Sequence, residues 1–158
     1  MMNPPQRCPF CGSAGYHVVP AAQWKNYGAI NMSEQSRKNC EKAVYLELGC
    51  YEFYKCCASN AENQVIQAIF ERLMDQELEH AEVFATALGI NVPKSTPKSC
   101  YDIDFQNMIA ANKNEWGGIT FYTESGNSAI EPRIQQIFLS IAEVENEHLM
   151  LLNTYLQR

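Results

Sequence analysis

The feature that most constrains this 158-residue chain is a repetition: its second half restates its first at an offset of 68 residues. Glu47 maps onto Glu115, Gly49 onto Gly117, Tyr54 onto Tyr122, Ile69 and Phe70 onto Ile137 and Phe138, Glu77 onto Glu145, Glu79 onto Glu147 and His80 onto His148. Both halves read Glu-x-Gly-x4-Tyr, then Ile-Phe, then Glu-x-Glu-His, at identical internal spacings. Of three histidines in the chain, two fall at equivalent positions. Self-similarity of this kind marks a duplicated structural unit.

The unit is helical. From Ser33 onward apolar and small residues recur at helical spacing through Ala43, Leu46, Gly49, Cys50, Phe53 and Tyr54. SNAEN (59–63) interrupts that pattern, and a second helix is predicted from near Gln64 to Leu88. Gly89, Pro93 and Pro97 end it and open a linker of about a dozen residues. Ser99 to Asp102 offers a capping box for a third helix. SGNSAIEP (125–132) then breaks the chain, and Pro132 suits the first position of a fourth helix. Short loops within each pair make antiparallel hairpins, and the longer link can cross the bundle. The fold class is therefore all-α, an antiparallel four-helix bundle made of two repeated hairpins, with no segment showing strand alternation. Residues 1–32 lack helical periodicity and hold four of the seven prolines. They read as an irregular N-terminal arm, with the bundle domain spanning 33–158.

Spacing turns the repeat into chemistry. Residues three apart on a helix share a face, so Glu77 and His80 point together, as do Glu145 and His148. Glu79 and Glu147 point about 160° away from Glu77 and Glu145 and read as solvated charge. Each hairpin thus aims one lone Glu (Glu47 or Glu115) and one Glu-x-x-His pair at the bundle axis. Four carboxylates and two imidazoles form the ligand set of a dinuclear metal site in which two carboxylates bridge and two cap. A single Glu-x-x-His is ordinarily a surface pair; two at repeat-equivalent positions, each 30 residues after a lone Glu, favour metal. Four buried carboxylates without partners would cost several kcal/mol each, and two divalent cations cancel them. Setting those four aside takes the formal net charge from −6 to −2, ordinary for a protein surface. Tyr54 and Tyr122 are either core aromatics or hydroxyl donors to the ligand carboxylates. Gly49 and Gly117 either allow close helix packing or open space beside the metals for a small oxidant.

Composition removes other classes. No basic run is present, so nucleic acid is excluded as a partner, and no apolar run approaches the roughly 20 residues that span a bilayer. MMNPPQRCPFCGSAG lacks the apolar stretch of a secretion signal, which makes a cytoplasmic location the expectation. Seven irregularly spaced cysteines do not read as a disulfide framework, and buried reduced thiols plus one short metal-type motif is the expected arrangement. That motif is Cys8 and Cys11. A lone CxxC has no closed coordination sphere; it is either a relic or half of a separate Zn or Fe site completed by Cys40, His17 or a second chain, with Cys100 a poorer partner.

Residues 33–156 resemble the ferritin-like superfamily, and most closely its rubrerythrin branch. DQELEHAEVF (75–84) is similar to that branch's second-helix motif and AEVENEH (142–148) to its fourth. The resemblance implies a di-iron centre at Glu47, Glu77, His80, Glu115, Glu145 and His148, with manganese as an alternative occupant, oxidised by hydrogen peroxide or dioxygen. It also implies an electron donor of unknown identity and pairing into a homodimer. Two departures stand out. Efficient peroxide reducers of the branch resemble one another in an extra Glu one turn after the third-helix ligand, where this chain has Gly118. A rubredoxin-type iron site needs two CxxC knuckles, and this chain offers one. The leading expectation is a di-iron oxidoreductase. Ferroxidase-type iron oxidation and storage is the second reading, and a metal-free helical interaction protein, which the duplicated ligand set disfavours, is the third.

Overall fold

The computed structural model describes Gln6, residues 15–23, Lys25 and residues 28–157. Two short 3-10 turns (Gly15–His17 and Ala21–Gln23) precede four helices: α1 (Glu34–Asn60), α2 (Gln64–Leu88), α3 (Asp104–Ser128) and α4 (Pro132–Leu156). No strand occurs among the described residues. Caps set three of the boundaries. The Ser33 side chain accepts from the Ser36 amide at the start of α1, and Asn63 accepts from the Val65 and Ile66 amides at the start of α2. Gly89 closes α2 in the left-handed conformation (φ 71°), where a Cβ is disfavoured.

Two boundaries differ from expectation. The third helix starts at Asp104 without a side-chain cap, so Ser99 to Asp102 is not a capping box. Asn107 explains this. Its side chain accepts from the Tyr101 amide at 2.8 Å and donates to the Tyr101 carbonyl at 2.9 Å, which commits that backbone to a loop. Helix α3 also runs on through Ser128, and the break falls only at Ala129 to Glu131. Gly126, expected to interrupt the helix, instead permits close packing: a Cβ there would lie 2.7 Å from Leu139 Cδ2 on α4.

α1 packs along α2 and α3 along α4, forming two hairpins that meet face to face. Asp104, at the start of α3, accepts from the Asn63 amide at the start of α2 (3.1 Å). These two helices therefore begin at the same end and run parallel, which obliges the 89–103 linker to travel the length of the bundle. At the opposite end Glu131, entering α4, accepts from the Ser33 amide and from Ser36 Oγ, so α1 and α4 also begin together.

A second correction concerns the cysteines. Cys56 and Cys100 form a disulfide, with Cα atoms 5.8 Å apart, tying α1 to the end of the linker. Helical register places Cys56 on the face that the linker crosses, and a separation of 44 residues hides that proximity in the sequence. Cys40, Cys50 and Cys57 are free thiols. Cys40 is closed inside the apolar core. Cys8 and Cys11 themselves lie outside the described residues, as does the side chain of His17. No described helix is long and apolar enough to cross a membrane.

The core is split. One apolar cluster gathers Val44, Leu48, Phe84, Tyr122, Ile134 and Phe138; the other gathers Phe53, Tyr54, Phe70, Leu73, Met108 and Leu152. Repeat-related residues fall in opposite clusters, Phe70 in one and Phe138 in the other, so the two hairpins are related by a pseudo-two-fold across the bundle. Between the clusters lies a polar layer.

Candidate metal centre

That layer holds all six residues singled out by the repeat. α1 contributes Glu47, α2 Glu77 and His80, α3 Glu115, and α4 Glu145 and His148; none is more than 7% exposed. The helical i, i+3 spacing brings each Glu-x-x-His pair to the axis. His80 Nδ1 lies 3.0 Å from Glu145 Oε1, 3.6 Å from Glu47 Oε2 and 3.9 Å from Glu77 Oε2. His148 Nδ1 lies 3.2 Å from Glu77 Oε1, 3.2 Å from Glu145 Oε2 and 3.5 Å from Glu115 Oε2. The imidazole rings stack at 5.9 Å.

Two overlapping groups result, Glu47–Glu77–His80–Glu145 and Glu77–Glu115–Glu145–His148. In each, the donor atoms all fall within 4.8 Å of one another. Glu77 and Glu145 belong to both. Glu77 Oε1, His80 Nδ1 and Glu145 Oε1 are buried yet make no hydrogen bond of acceptable geometry, although their neighbours are close. Such atoms converge on common points rather than bonding to each other, and an orphaned buried polar atom is costly without a partner. The donor set, carboxylate oxygens and imidazole nitrogens, suits first-row divalent metals.

Without cations, protons balance the charge. Burial and the charges of Glu145 and Glu47 push the Glu77 carboxyl well above its ordinary range. Burial and Glu145 raise Glu115 to about 8. Glu145 goes the other way: burial pushes it up, but the close approach of Glu115, His148 and His80 holds it well below the usual value. Burial alone would lower both histidines, yet Glu47 and Glu145 raise His80 to about 10, and Glu115 and Glu145 raise His148 to about 10. Imidazolium charge thus occupies the place that metal charge would take.

The surroundings resolve what spacing left open. The Tyr54 hydroxyl donates to Glu115 Oε1 and that of Tyr122 to Glu47 Oε1, so each tyrosine reaches across to the lone Glu of the other hairpin. Both rings are also fully buried, packed in the core and bonded to the cluster at once. Neither Gly49 nor Gly117 serves close helix packing. A Cβ at Gly117 would meet nothing within 4 Å, and one at Gly49 would meet only the tip of Lys98, 2.8 Å from its Nζ. Glu79 is exposed as expected, whereas Glu147 is half-buried.

Sequence reasoning missed Gln76. Its Oε1 lies 3.1 Å from His148 Nε2, accepting from the ring nitrogen that faces away from the cluster. The signal was present: Gln76 sits four residues before His80 on a face that also carries the buried Leu73 and Phe84. A buried amide on an apolar stripe asks for a partner.

Residues 38–96, covering most of α1, all of α2 and the start of the linker, match the family model described as Rubrerythrin. A solved structure of a hypothetical protein from Pyrococcus furiosus is similar in fold, with a TM-score of 0.66 and 16% identity, covering 77% of this chain and 88% of that one. No curated protein matches.

Proposed function

We propose that this chain, rubrerythrin-like in its first hairpin and ferritin-like in fold, is a di-iron oxidoreductase that reacts with hydrogen peroxide or dioxygen. One observation carries the reading: two buried four-residue groups that share Glu77 and Glu145. The shared carboxylates would join two ions, Glu47 with His80 would complete one coordination sphere, and Glu115 with His148 the other. Iron held there would supply reversible one-electron chemistry at each ion to a small oxidant.

The chain's own groups prepare that role. To act as ligands, Glu77 and Glu115 give up the protons that burial makes them retain, so loading releases protons. Tyr54 and Tyr122 fix the orientation of Glu115 and Glu47; burial first, then those carboxylate charges, raises both phenols, so they stay neutral donors. Gln76 holds His148 in the tautomer that leaves Nδ1 free to ligate. The two apolar clusters close the layer above and below.

Anaerobic loading with Fe(II), followed by metal analysis, should give two ions per chain. Separate challenge with peroxide and dioxygen, followed by absorption, then identifies the faster oxidant. One ion per chain held by Cys8 and Cys11 alone would sink the reading, and accumulation of mineral iron would replace it with ferroxidase-type storage.

A further inference from the structure

The polar layer opens to the surface on one side, between α1 and α3. A cavity of about 360 Å³ there has Glu47, Glu77, Glu115 and Glu145 at its buried end and the exposed Lys42 and Lys98 at its rim. Its walls are hollowed by missing side chains, since Gly49, Gly117 and Gly118 all line it. A peroxide or dioxygen molecule needs far less room, given that a water's share of the liquid is about 30 Å³. Pockets of roughly 300–1,000 Å³ are of the size that holds small organic ligands.

The rim is built rather than incidental. Lys98 belongs to the 89–103 linker, and its ammonium rests over Gly49, 2.8 Å from where a Cβ would stand. The linker is moored on either side of it. Ser95 Oγ donates to the buried Glu52 of α1, and Cys100 is joined to Cys56. Residues 49, 52 and 56 lie on one face of α1, so the linker crosses that face with Lys98 between two anchors. Lys42 is oriented by the ring of Phe121, 4.4 Å below its ammonium. Beside these charges Tyr45 and Leu46 are exposed apolar surface, 66% and 39% accessible, although Leu46 continues the buried-face pattern in sequence.

We propose that this cavity binds a small organic anion, its negative group held by Lys98 and Lys42 and its apolar body lying along Leu46 and Tyr45 toward the carboxylate cluster. The inference rests on the dinuclear metal reading, because two divalent cations offset the four glutamates and leave the lysines to set the sign of the cavity. It names the class of ligand admitted beside that centre as an organic acid.

Benzoate is a suitable probe, and benzamide, nearly the same shape without the charge, is its control. Titrated calorimetrically into anaerobic protein carrying two Fe(II) per chain, benzoate should saturate at one per chain and bind at least about tenfold more tightly than benzamide, as expected for a charge-assisted contact. Lys98→Gln, an exposed substitution that leaves the helices untouched, should weaken benzoate by about tenfold and leave benzamide and iron content unchanged. Equal binding of the two probes, absence of saturable benzoate binding, or indifference to Lys98→Gln would overturn the proposal. Metal analysis of the same samples separates the two claims. Iron-loaded protein that ignores benzoate defeats only the cavity assignment, whereas protein that takes up no iron defeats the metal centre and the cavity assignment with it.

Discussion

In the α1–α2 hairpin the residue before the shared glutamate is Gln76; at the same place in the α3–α4 hairpin stands Val144. Gln76 reaches His148 across the bundle, and Val144 has nothing to offer His80 in return. One turn after each lone glutamate the pair is Cys50 and Gly118, and the repeat-related Gly49 and Gly117 differ in cover, one under Lys98 and the other bare. Even the shared carboxylates have opposite tendencies, Glu77 toward the protonated form and Glu145 toward the ionised one. Ligand identity and offset are thus common to both hairpins, while proton affinity, orientation and access belong to each separately. Duplication supplied a symmetric ligand set, and the residues around it made the two halves unequal.

The largest effect should test what remains symmetric. Glu77→Ala and Glu145→Ala each remove a residue common to both donor groups, so either should abolish binding of both metals. Glu47→Ala or Glu115→Ala removes a residue of one group and should leave one ion per chain. Metal analysis after anaerobic loading checks this; one ion surviving Glu145→Ala but none surviving Glu77→Ala would break the pseudo-symmetry.

Next in size is the electrostatic inequality of the apo-protein. Glu77 holds its proton, so Glu77→Gln should change apo stability little at pH 7. Glu145→Gln takes away the carboxylate that His80, His148 and Glu115 share, and should cost about 3 kcal/mol, as when one partner of a buried pair is lost. Urea denaturation of both variants would show it, and equal losses would make the hairpins electrostatically alike. A pH series sharpens the point. The raised Glu115 contributes stability that is complete below about pH 4.5 and lost as pH climbs to about 8. The raised histidines contribute stability that is complete below about 6.5 and lost toward about 10. Glu145, lowered, is at full effect above about 4.5 and does not counter them. Apo-protein should therefore weaken steadily from mildly acid to alkaline pH while loaded protein is spared, and identical melting profiles for the two forms would contradict this.

A smaller change probes Gln76. Gln76→Val makes the first hairpin like the second at that position and leaves His148 Nε2 without its acceptor. One of the two ions should bind about 10–100-fold more weakly, the usual scale for losing an outer-shell partner, with the other unaffected. Chelator competition resolves the two steps, and equal weakening of both would mean that Gln76 supports the layer as a whole. The smallest effect concerns the glycines. Gly117→Ala meets open space in a helix and should gain about 0.5–1 kcal/mol. Gly49→Ala makes the same helical gain but displaces the end of Lys98, so its melting temperature should rise less.

Much of this was written along the chain. Glu47, Glu77, His80, Glu115, Glu145 and His148 were legible because helical spacing dictates direction, and because the repeat made chance a poor account of two Glu-x-x-His pairs. Helix ends marked by Ser33, Asn63, Gly89 and Pro132 were legible for a similar reason: caps act within a few residues of themselves. Tertiary structure alone decided that Tyr54 serves Glu115 and Tyr122 serves Glu47, that Glu77 and Glu145 are the shared pair, that Gln76 meets His148, that Cys56 meets Cys100, and that Lys98 lies on Gly49. Periodicity encodes the face a residue takes on its own helix. Its partner across the bundle depends on how far neighbouring helices are rotated and shifted against each other, which is set by the packing of many side chains at once and by no local pattern.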